Sequence, residues 1–492
     1  MSLLKLKSGT DIRGTAVGEK TDLTDEAVIK ITYGFIKYLK EKTGIEYKDM
    51  TVYAGHDSRI SGERIENAVI SVLTAYGIKV FDCGLSSTPA MFMTTVKKNC
   101  TASVQITASH HPYDKNGLKF FTKEGGFEGE EIEKVLLYAD EADDVKTASP
   151  EAETVDFMSE YADGLAEMIK TGVNSGDYEK PLAGFKIAVD AGNGAGGFFE
   201  KVLKKLGADT TGSQFLDPDG MFPNHIPNPE NPVAMSFICN AVKDNGADLG
   251  VIFDTDVDRA ACVGADGSEI NRNALIALAS VIALENNEGG TIVTDSVTSD
   301  GLKEFIEDHL GGKHYRFKRG YKNVINKAIE LNANGINTPL AIETSGHAAL
   351  RENYFLDDGA YLITRIIILA ARLRKENKDL SSLLSALKKP AEEKEKRYII
   401  DLEDFREYGE NVITSLEKYC GRLDFAVPAD DNREGFRVSF DKEHGDGWLL
   451  LRLSVHDPVL PLNIESCSEG GVRIIEEFFD GFISAFDKLY LK

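Results

Sequence analysis

Several short stretches of this chain carry side chains whose types and spacing suit chemistry. The first is Thr107-Ala108-Ser109-His110-His111-Pro112, continuing through Asn116-Gly117-Leu118-Lys119. It follows Ala102-Ser103-Val104-Gln105-Ile106, which predicts a short buried strand. A serine between such a run and a Pro-Tyr-Asp-Lys-Asn-Gly turn stands on a loop at a strand's C-terminal end. That edge is where α/β sheets bind ligands. With His110 beside it and Lys119 close in sequence, Ser109 is placed to carry a phosphoryl group, the cations offsetting its charge. Taken alone, the cluster is explained as well by the caps and turns that Ser, Thr and Pro commonly make. The pair His110-His111 does not by itself make a metal site, because two neighbouring side chains rarely ligate one ion unaided.

The second stretch is acidic. Leu249-Gly250-Val251-Ile252-Phe253 predicts a buried strand that runs into Asp254-Thr255-Asp256-Val257-Asp258-Arg259. Carboxylates at alternating positions on one loop can converge on a hard cation, and an all-oxygen donor set favours Mg²⁺. Without a cation, three carboxylates this close would repel. An EF-hand would need Gly at the sixth loop position and Glu at the twelfth. Arg259 and Ala265 stand there, so that reading is rejected. Two others stay open: a haloacid-dehalogenase-like phosphotransferase, with Asp254 as nucleophile and Asp357-Asp358 as its distal acidic pair, and a solvated acidic turn.

Further loops complete the set. Glu343-Thr344-Ser345-Gly346-His347 follows the strand-like Pro339-Leu340-Ala341-Ile342. Glu343 and Ser345 suit adjacent sugar hydroxyls, and His347 suits proton transfer. Upstream, Lys318-Arg319-Gly320 is a basic loop for an anion. Arg452, Ser454 and His456 share one face if the chain is extended there, and together make a phosphate clamp. An alternating strand with Leu453 and Val455 turned inward explains the same pattern. Gly9 and Gly14 flank Arg13 in a tight loop. The glycine-rich run Ala191 to Gly197 lacks the G-x-G-x-x-G spacing, so a dinucleotide site is rejected and a close-packed strand-to-helix turn preferred.

These loops need a scaffold of strands that end together. Helix spacing over Asp25 to Lys42 puts Val28, Ile31, Phe35 and Leu39 on one face. A strand–helix–strand rhythm then recurs, and strands at Phe185 to Asp190 and Thr291 to Asp295 open further units of the same kind. The fold expected is α/β: three similar mixed or parallel α/β domains plus a smaller C-terminal α+β domain, with boundaries at 1–153, 154–287, 288–394 and 395–492. The acidic passage Glu141 to Glu153 reads as a connector, and Asn224 to Pro232 as loop.

Composition narrows the partners. The chain has 492 residues, 42% hydrophobic and 28% charged, as in an ordinary globular protein. A net charge of −24 argues against nucleic acid and anionic membranes. Six scattered cysteines without paired spacing argue for reduced thiols and a cytoplasmic home. The start of the chain is too short and polar for a signal peptide. The most apolar helix, Tyr361 to Leu373, is interrupted by Arg365 and Arg372, short of the ~20 apolar residues that cross a membrane.

Taken together, the loops resemble the α-D-phosphohexomutase superfamily over essentially the whole chain. Thr107 to Pro112 is similar to its T-A-S-H-N-P phosphoserine loop, with His111 for Asn. Asp254 to Arg259 is similar to its D-G-D-x-D-R metal loop, with Thr255 for Gly. Glu343 to His347 is similar to its G-E-x-S-G-H sugar loop, with Ile342 for the first Gly. The fourth loop departs most from R-P-S-G-T-E-P-x-x-R: Arg452 and Ser454 remain, while His456 stands for Thr and Pro461 for the second Arg. The resemblance implies four domains around a central cleft and a phosphoserine at Ser109 that also completes a Mg²⁺ site of Asp254, Asp256 and Asp258. It implies Arg13 and Lys119 as a cationic pair near the reacting oxygens, Lys119 as general acid or base, and Arg259 as a substrate contact. The activity implied interconverts glucose or mannose 1- and 6-phosphates, with a hexose 1,6-bisphosphate as intermediate and primer. A monomer or homodimer is expected. A non-catalytic hexose-phosphate binder is the alternative.

Overall fold

The computed structural model describes residues 2–454 and 457–492. It divides into two compact units, one of residues 1–271, 345–349 and 356–381, the other of 272–344, 350–355 and 382–492.

The first unit opens with an eight-stranded mixed sheet. Its order is Lys7–Ser8, Asp11–Thr15, Lys115–Thr122, Ala102–Ile106, Thr51–His56, Lys79–Leu85 and Glu153–Thr154, with Gly125–Gly126 paired to Lys115–Thr122. Thr51–His56 runs parallel to both of its neighbours, whereas Lys115–Thr122 is antiparallel to all three of its own. The register matters for the site: Ile106 pairs with Leu118, Gln105 with Lys119 and Arg13 with Gly117. Ile12, Ile106 and Leu118 lie in the hydrophobic core. Strand alternation therefore turns Arg13, Gln105 and Lys119 to the opposite face.

The helix Asp25–Thr43 covers the core side. Thr24 caps its start by accepting from the Ala27 amide, and Gly44 ends it in the left-handed region. Val28, Ile31, Phe35 and Leu39 are buried along it as the spacing predicts, and Phe35 stacks on Phe120 with ring centroids 4.4 Å apart. Such a phenylalanine contributes ~3–5 kcal/mol relative to alanine.

A second sheet in the same unit has the order Glu269–Ile270, Ala260–Gly264, Leu249–Phe253, Ile187–Asp190. Leu249–Phe253 is parallel to Ile187–Asp190 and antiparallel to Ala260–Gly264, so the acidic stretch is the turn of a hairpin. The glycine-rich run packs against that turn. A Cβ on Gly194 would lie 2.5 Å from the Thr255 carbonyl oxygen, and one on Gly196 3.0 Å from the Phe253 ring. Close approach accounts for these glycines, and the close-packed-turn reading stands. The helix Gly359–Lys375 packs against Phe157–Val173, where Arg372 and Lys375 donate to the carbonyls of Gly172 and Val173 at 2.9 and 2.8 Å.

In the second unit Thr291–Asp295 runs parallel to both Lys313–Phe317 and Leu340–Ile342. A six-stranded antiparallel sheet follows, from Ala426–Pro428 through Phe436–Phe440, Gly447–Leu451, Val459–Ser466 and Glu392–Ile400 to Leu489–Leu491. Helices Phe405–Cys420 and Gly471–Ile483 bury Val412, Leu416, Ile475 and Phe479 against it. Three α/β sheets with an α+β C-terminal part are the architecture expected. Among the described residues no helix is long and apolar enough to cross a membrane.

Candidate active site

Ser109 sits at the end of Ala102–Ile106, 3% exposed, with its backbone in the left-handed region at φ 49°. Its hydroxyl donates to Asp254 Oδ2 at 3.0 Å and accepts from Arg259 Nη2 at 3.3 Å. The loop of residues 254–259 closes on itself, since the Arg259 amide donates to Asp254 Oδ1 at 3.2 Å. Asp254, Asp256 and Asp258 are all buried, and each offers an oxygen within 4.8 Å of the others'.

Lys119 reaches this cluster from the neighbouring sheet. Its Nζ lies 2.6 Å from Asp258 Oδ2 and 3.1 Å from Asp256 Oδ2. Thr88, at the first turn of Thr88–Lys97, donates to Asp256 Oδ2 at 2.5 Å. Even so, Asp256 Oδ1, Asp258 Oδ1 and Thr255 Oγ1 are buried without a hydrogen-bond partner. Buried carboxylate oxygens left unpaired are costly. A hard divalent cation bound by the two orphaned carboxylate oxygens and by Asp254 removes that cost, so the residues fit Mg²⁺.

The charges divide unequally. Burial, with Asp258 and Asp256 adding to it, pushes the Asp254 carboxyl well above the usual carboxylate range. Burial also acts on Asp258, but Lys119, His347 and Arg259 outweigh it and hold that carboxyl below the range. His347 is drawn in by an isolated antiparallel bridge between Arg259 and His347. Its Nδ1 lies 2.5 Å from Asp357 Oδ2 and 3.9 Å from Asp258 Oδ1. Burial opposes its protonation, but the two carboxylates win and raise its pKa to about 9. Asp357 orients the His347 ring.

His110 differs from expectation. Its Nδ1 is 3.3 Å from Ser109 Oγ, but burial, reinforced by Arg259, His111 and Arg13, pushes its pKa far below the ordinary histidine value. His110 is placed as a hydrogen-bonding partner of the serine hydroxyl. Arg13 is paired with Asp11 at 2.7 Å and close enough to both histidines to lower their pKa. The distal acidic pair of a haloacid-dehalogenase-like site is otherwise engaged. Asp357 holds His347, while Asp358 caps Gly359–Lys375 through the Tyr361 amide at 2.8 Å and accepts from the Tyr161 hydroxyl at 2.7 Å.

In the second unit, Glu343 is buried and its Oε1 accepts from the Gly320 amide at 2.5 Å. Thr344 donates to Asp295 at 2.7 Å, and Arg319 Nε lies 3.9 Å from the same carboxylate. Arg452 is 8% exposed; burial lowers its pKa, Glu434 raises it and the nearby Arg319 lowers it again. Two guanidiniums so placed suit an anion. Lys318 is exposed. The strand Gly447–Leu451 ends one residue before Arg452, so Arg452 opens the loop that follows it. Hydrogen bonds from Arg452 N to Pro461 O at 3.1 Å and Ser454 N to Val459 O at 2.9 Å still hold the two sides of the loop together. His456 and Val455 lie outside the described residues. Ser345, buried, belongs with His347 to the first unit.

Residues missed from sequence are those whose partners are remote. Thr88 is one, and Asp357, expected only in a distal acidic pair, is another in its role of holding His347. Asn228 and Glu230, from the proline-rich loop, lie 3.4 and 3.7 Å from Arg259 Nη1. A threonine opening a helix and an Asn-Pro-Glu loop carry no chemical signature of their own.

Comparisons with known proteins bear on the whole chain. Models of the phosphoglucomutase/phosphomannomutase α/β/α domains I, II and III match residues 5–144, 159–267 and 271–390 in order. A phosphoglucomutase of Neisseria meningitidis serogroup B is 30% identical over 480 residues, covering 96% of each chain. A phosphoglucomutase/phosphomannomutase of Thermococcus kodakarensis is 29% identical over 490 residues, 97% of this chain and 100% of that one. A crystal structure of a Burkholderia thailandensis phosphoglucomutase/phosphomannomutase family protein superposes with a TM-score of 0.79 at 26% identity, covering both chains fully. Relatedness that runs nearly end to end, with the domain models falling in sequence, makes this chain a member of the phosphoglucomutase/phosphomannomutase family.

Proposed function

We infer that this protein is a phosphohexomutase that interconverts hexose 1-phosphate and hexose 6-phosphate, glucose and mannose being the sugars the relatives' names suggest. The observation that carries the reading is a buried serine hydroxyl 3.0 Å from a carboxylate of a three-aspartate cluster in which two carboxylate oxygens have no hydrogen-bond partner.

In this reading Ser109 carries the phosphoryl group and passes it to the free hydroxyl of the bound hexose monophosphate. A hexose 1,6-bisphosphate forms, reverses its orientation, and returns the other phosphoryl group to Ser109. Asp254, Asp256 and Asp258 would hold Mg²⁺, which when bound neutralises charge on the transferring group. Arg259 stays within hydrogen-bond reach of Ser109 Oγ and stabilises negative charge there. In each transfer one hydroxyl loses a proton and one alkoxide gains one. Lys119 and His347, both beside Asp258, are the groups able to exchange it. His110 orients the serine hydroxyl. Glu343 and Ser345 take sugar hydroxyls, and Arg319, Lys318, Arg452, Ser454 and His456 grip the phosphate that is not transferred, with Arg13 near the reacting oxygens.

The test is isomerisation of glucose 1-phosphate and of mannose 1-phosphate with Mg²⁺ and a trace of glucose 1,6-bisphosphate. Product from either sugar, with phosphate recovered on Ser109 after hydroxylamine treatment, is expected. No product from a folded protein carrying that phosphate refutes the mutase reading. Label lost to hydroxylamine points to an acyl phosphate on Asp254.

A further inference from the structure

We propose that Arg59 is a positioning residue for Ser109: its buried guanidinium gathers the carbonyl oxygens of the serine loop and so fixes the strained backbone that presents the hydroxyl to Asp254.

Arg59 stands just after the strand Thr51–His56, and its side chain is wholly excluded from solvent. Nη1 donates to the carbonyls of Pro112 at 2.7 Å and Lys115 at 2.9 Å. Nη2 donates to the carbonyl of His111 at 2.7 Å and to that of Ser109 itself. Nε lies 3.2 Å from Asp57 Oδ2. From that carboxylate a second path runs back to the serine. Thr107 Oγ1 donates to Asp57 Oδ2 at 2.7 Å and accepts from the Ser109 amide at 2.9 Å. The serine is therefore held at its amide through Thr107 and at its carbonyl through Arg59.

The strain at Ser109 explains why such a clamp is required. Side-chain-bearing residues avoid the left-handed region that Ser109 occupies at φ 49°. Surrounding bonds must over-determine it, or the loop relaxes and the hydroxyl leaves Asp254. Only an arginine can do this with one side chain, because its planar fork presents five N–H donors at fixed angles. The peptides that carry the Ser109, Pro112 and Lys115 carbonyls are trans, so the N–H groups of His110, Tyr113 and Asn116 point away from Arg59. The negative ends of these loop dipoles are thereby gathered on the guanidinium. None of these atoms is assigned a role by the reaction described above.

The proposal rests on the phosphoserine reading, and the test separates the two. The full chain and its variants Arg59→Lys, Thr107→Val and Thr107→Ser are mixed with ³²P-labelled glucose 1,6-bisphosphate and Mg²⁺, and label uptake is followed by rapid quench. Mn²⁺ affinity, melting temperature and the KM for hexose phosphate are measured on the same preparations. Arg59→Lys and Thr107→Val are expected to take up label ~10- to 100-fold more slowly, the loss that follows ångström-scale misplacement of a reacting group. Their kcat falls with it while KM and Mn²⁺ affinity stay parental, and Thr107→Ser, which keeps the bridging hydroxyl, is restored. Parental uptake in both slow variants overturns the proposal. So does a joint fall in uptake, Mn²⁺ affinity and melting temperature, which marks a merely structural role. If Arg59→Lys does not fold, the Thr107 pair decides. A parent chain that never takes label on Ser109 instead refutes the phosphoserine reading, and this proposal falls with it.

Discussion

Replacing Lys119 by Met tests how the acidic cluster is balanced. Lys119 is 4% exposed and lies 2.6 and 3.1 Å from Asp258 and Asp256. Methionine keeps the length and apolar stem of the side chain but removes the charge. Arg259, His347 and, acting on Asp256, Arg59 remain as cations near the three carboxylates. Removing one partner of a buried ion pair costs roughly 3–5 kcal/mol, and that is the expected loss for the first unit without metal. Mg²⁺ at 100 times its dissociation constant returns about 2.7 kcal/mol to any state that binds it. The variant should therefore be weak without Mg²⁺ and largely recovered with it. Its Mg²⁺ affinity should rise about tenfold, equivalent to ~1.4 kcal/mol, because a competing cation has gone. Isomerisation should still fall, since the proton-exchanging amine is lost. Intrinsic fluorescence is a poor probe here. The single tryptophan, Trp448, lies in the C-terminal sheet of the second unit. Hydrogen exchange of peptides spanning residues 102–122 and 249–264 reports the first unit directly, and calorimetric titration gives the metal affinity. Metal-free exchange and Mg²⁺ affinity both equal to the parent's would refute this account of the cluster.

Ser109→Ala should abolish isomerisation and phosphoryl uptake while leaving the melting temperature within a few degrees, because one loop hydroxyl contributes only about 1 kcal/mol; retained turnover sinks the phosphoserine mechanism. Glu66 is 5% exposed, and burial, with Asp82 beside it, raises its pKa to about 8. A carboxyl raised in the folded state contributes stability that is full below its unfolded pKa near ~4.3 and lost as pH climbs through about 8. Glu66→Gln should accordingly flatten the decline in melting temperature between these limits, and an unchanged slope counts against the assignment.

What could be read from sequence was what short-range spacing encodes. The buried faces of Asp25–Thr43 follow from period 3.6, and the ends of Ala102–Ile106 and Leu249–Phe253 locate Ser109 and the three aspartates. Lys119 was legible because only a hairpin separates it from Ser109. Arg59, Thr88 and Asp357 were not, because each acts on a partner 50 or more residues away, or, for Asp357, through a histidine whose own place depends on a bridge to Arg259. The surroundings of His110 were hidden for a related reason. Its sequence neighbours suggest a cation, but burial, Arg259, His111, Arg13 and His347 all lower its proton affinity.

The departures from the family's motifs are a separate matter, and the backbone explains the one in the metal loop. A glycine is usual where Thr255 stands, yet the left-handed residue of this loop is Val257, at φ 68°. Thr255 is not among the positive-φ residues, so its Cβ meets no backbone strain. What it presents to its neighbours is main chain: its carbonyl accepts from the Ala195 amide at 2.8 Å, and Gly194 leaves room for that contact. Its hydroxyl is buried without a partner. Thr255→Gly therefore keeps every bond that orders the loop. It adds ~0.5–1 kcal/mol of chain entropy to be lost on folding, and it removes an unsatisfied hydroxyl that opposes part of that loss. Stability should fall by about 1 kcal/mol or less in urea denaturation, with Mg²⁺ affinity unchanged and kcat within about threefold of the parent. A loss of Mg²⁺ affinity beyond tenfold would show that the threonine side chain itself orders the aspartates, and the backbone argument would be wrong.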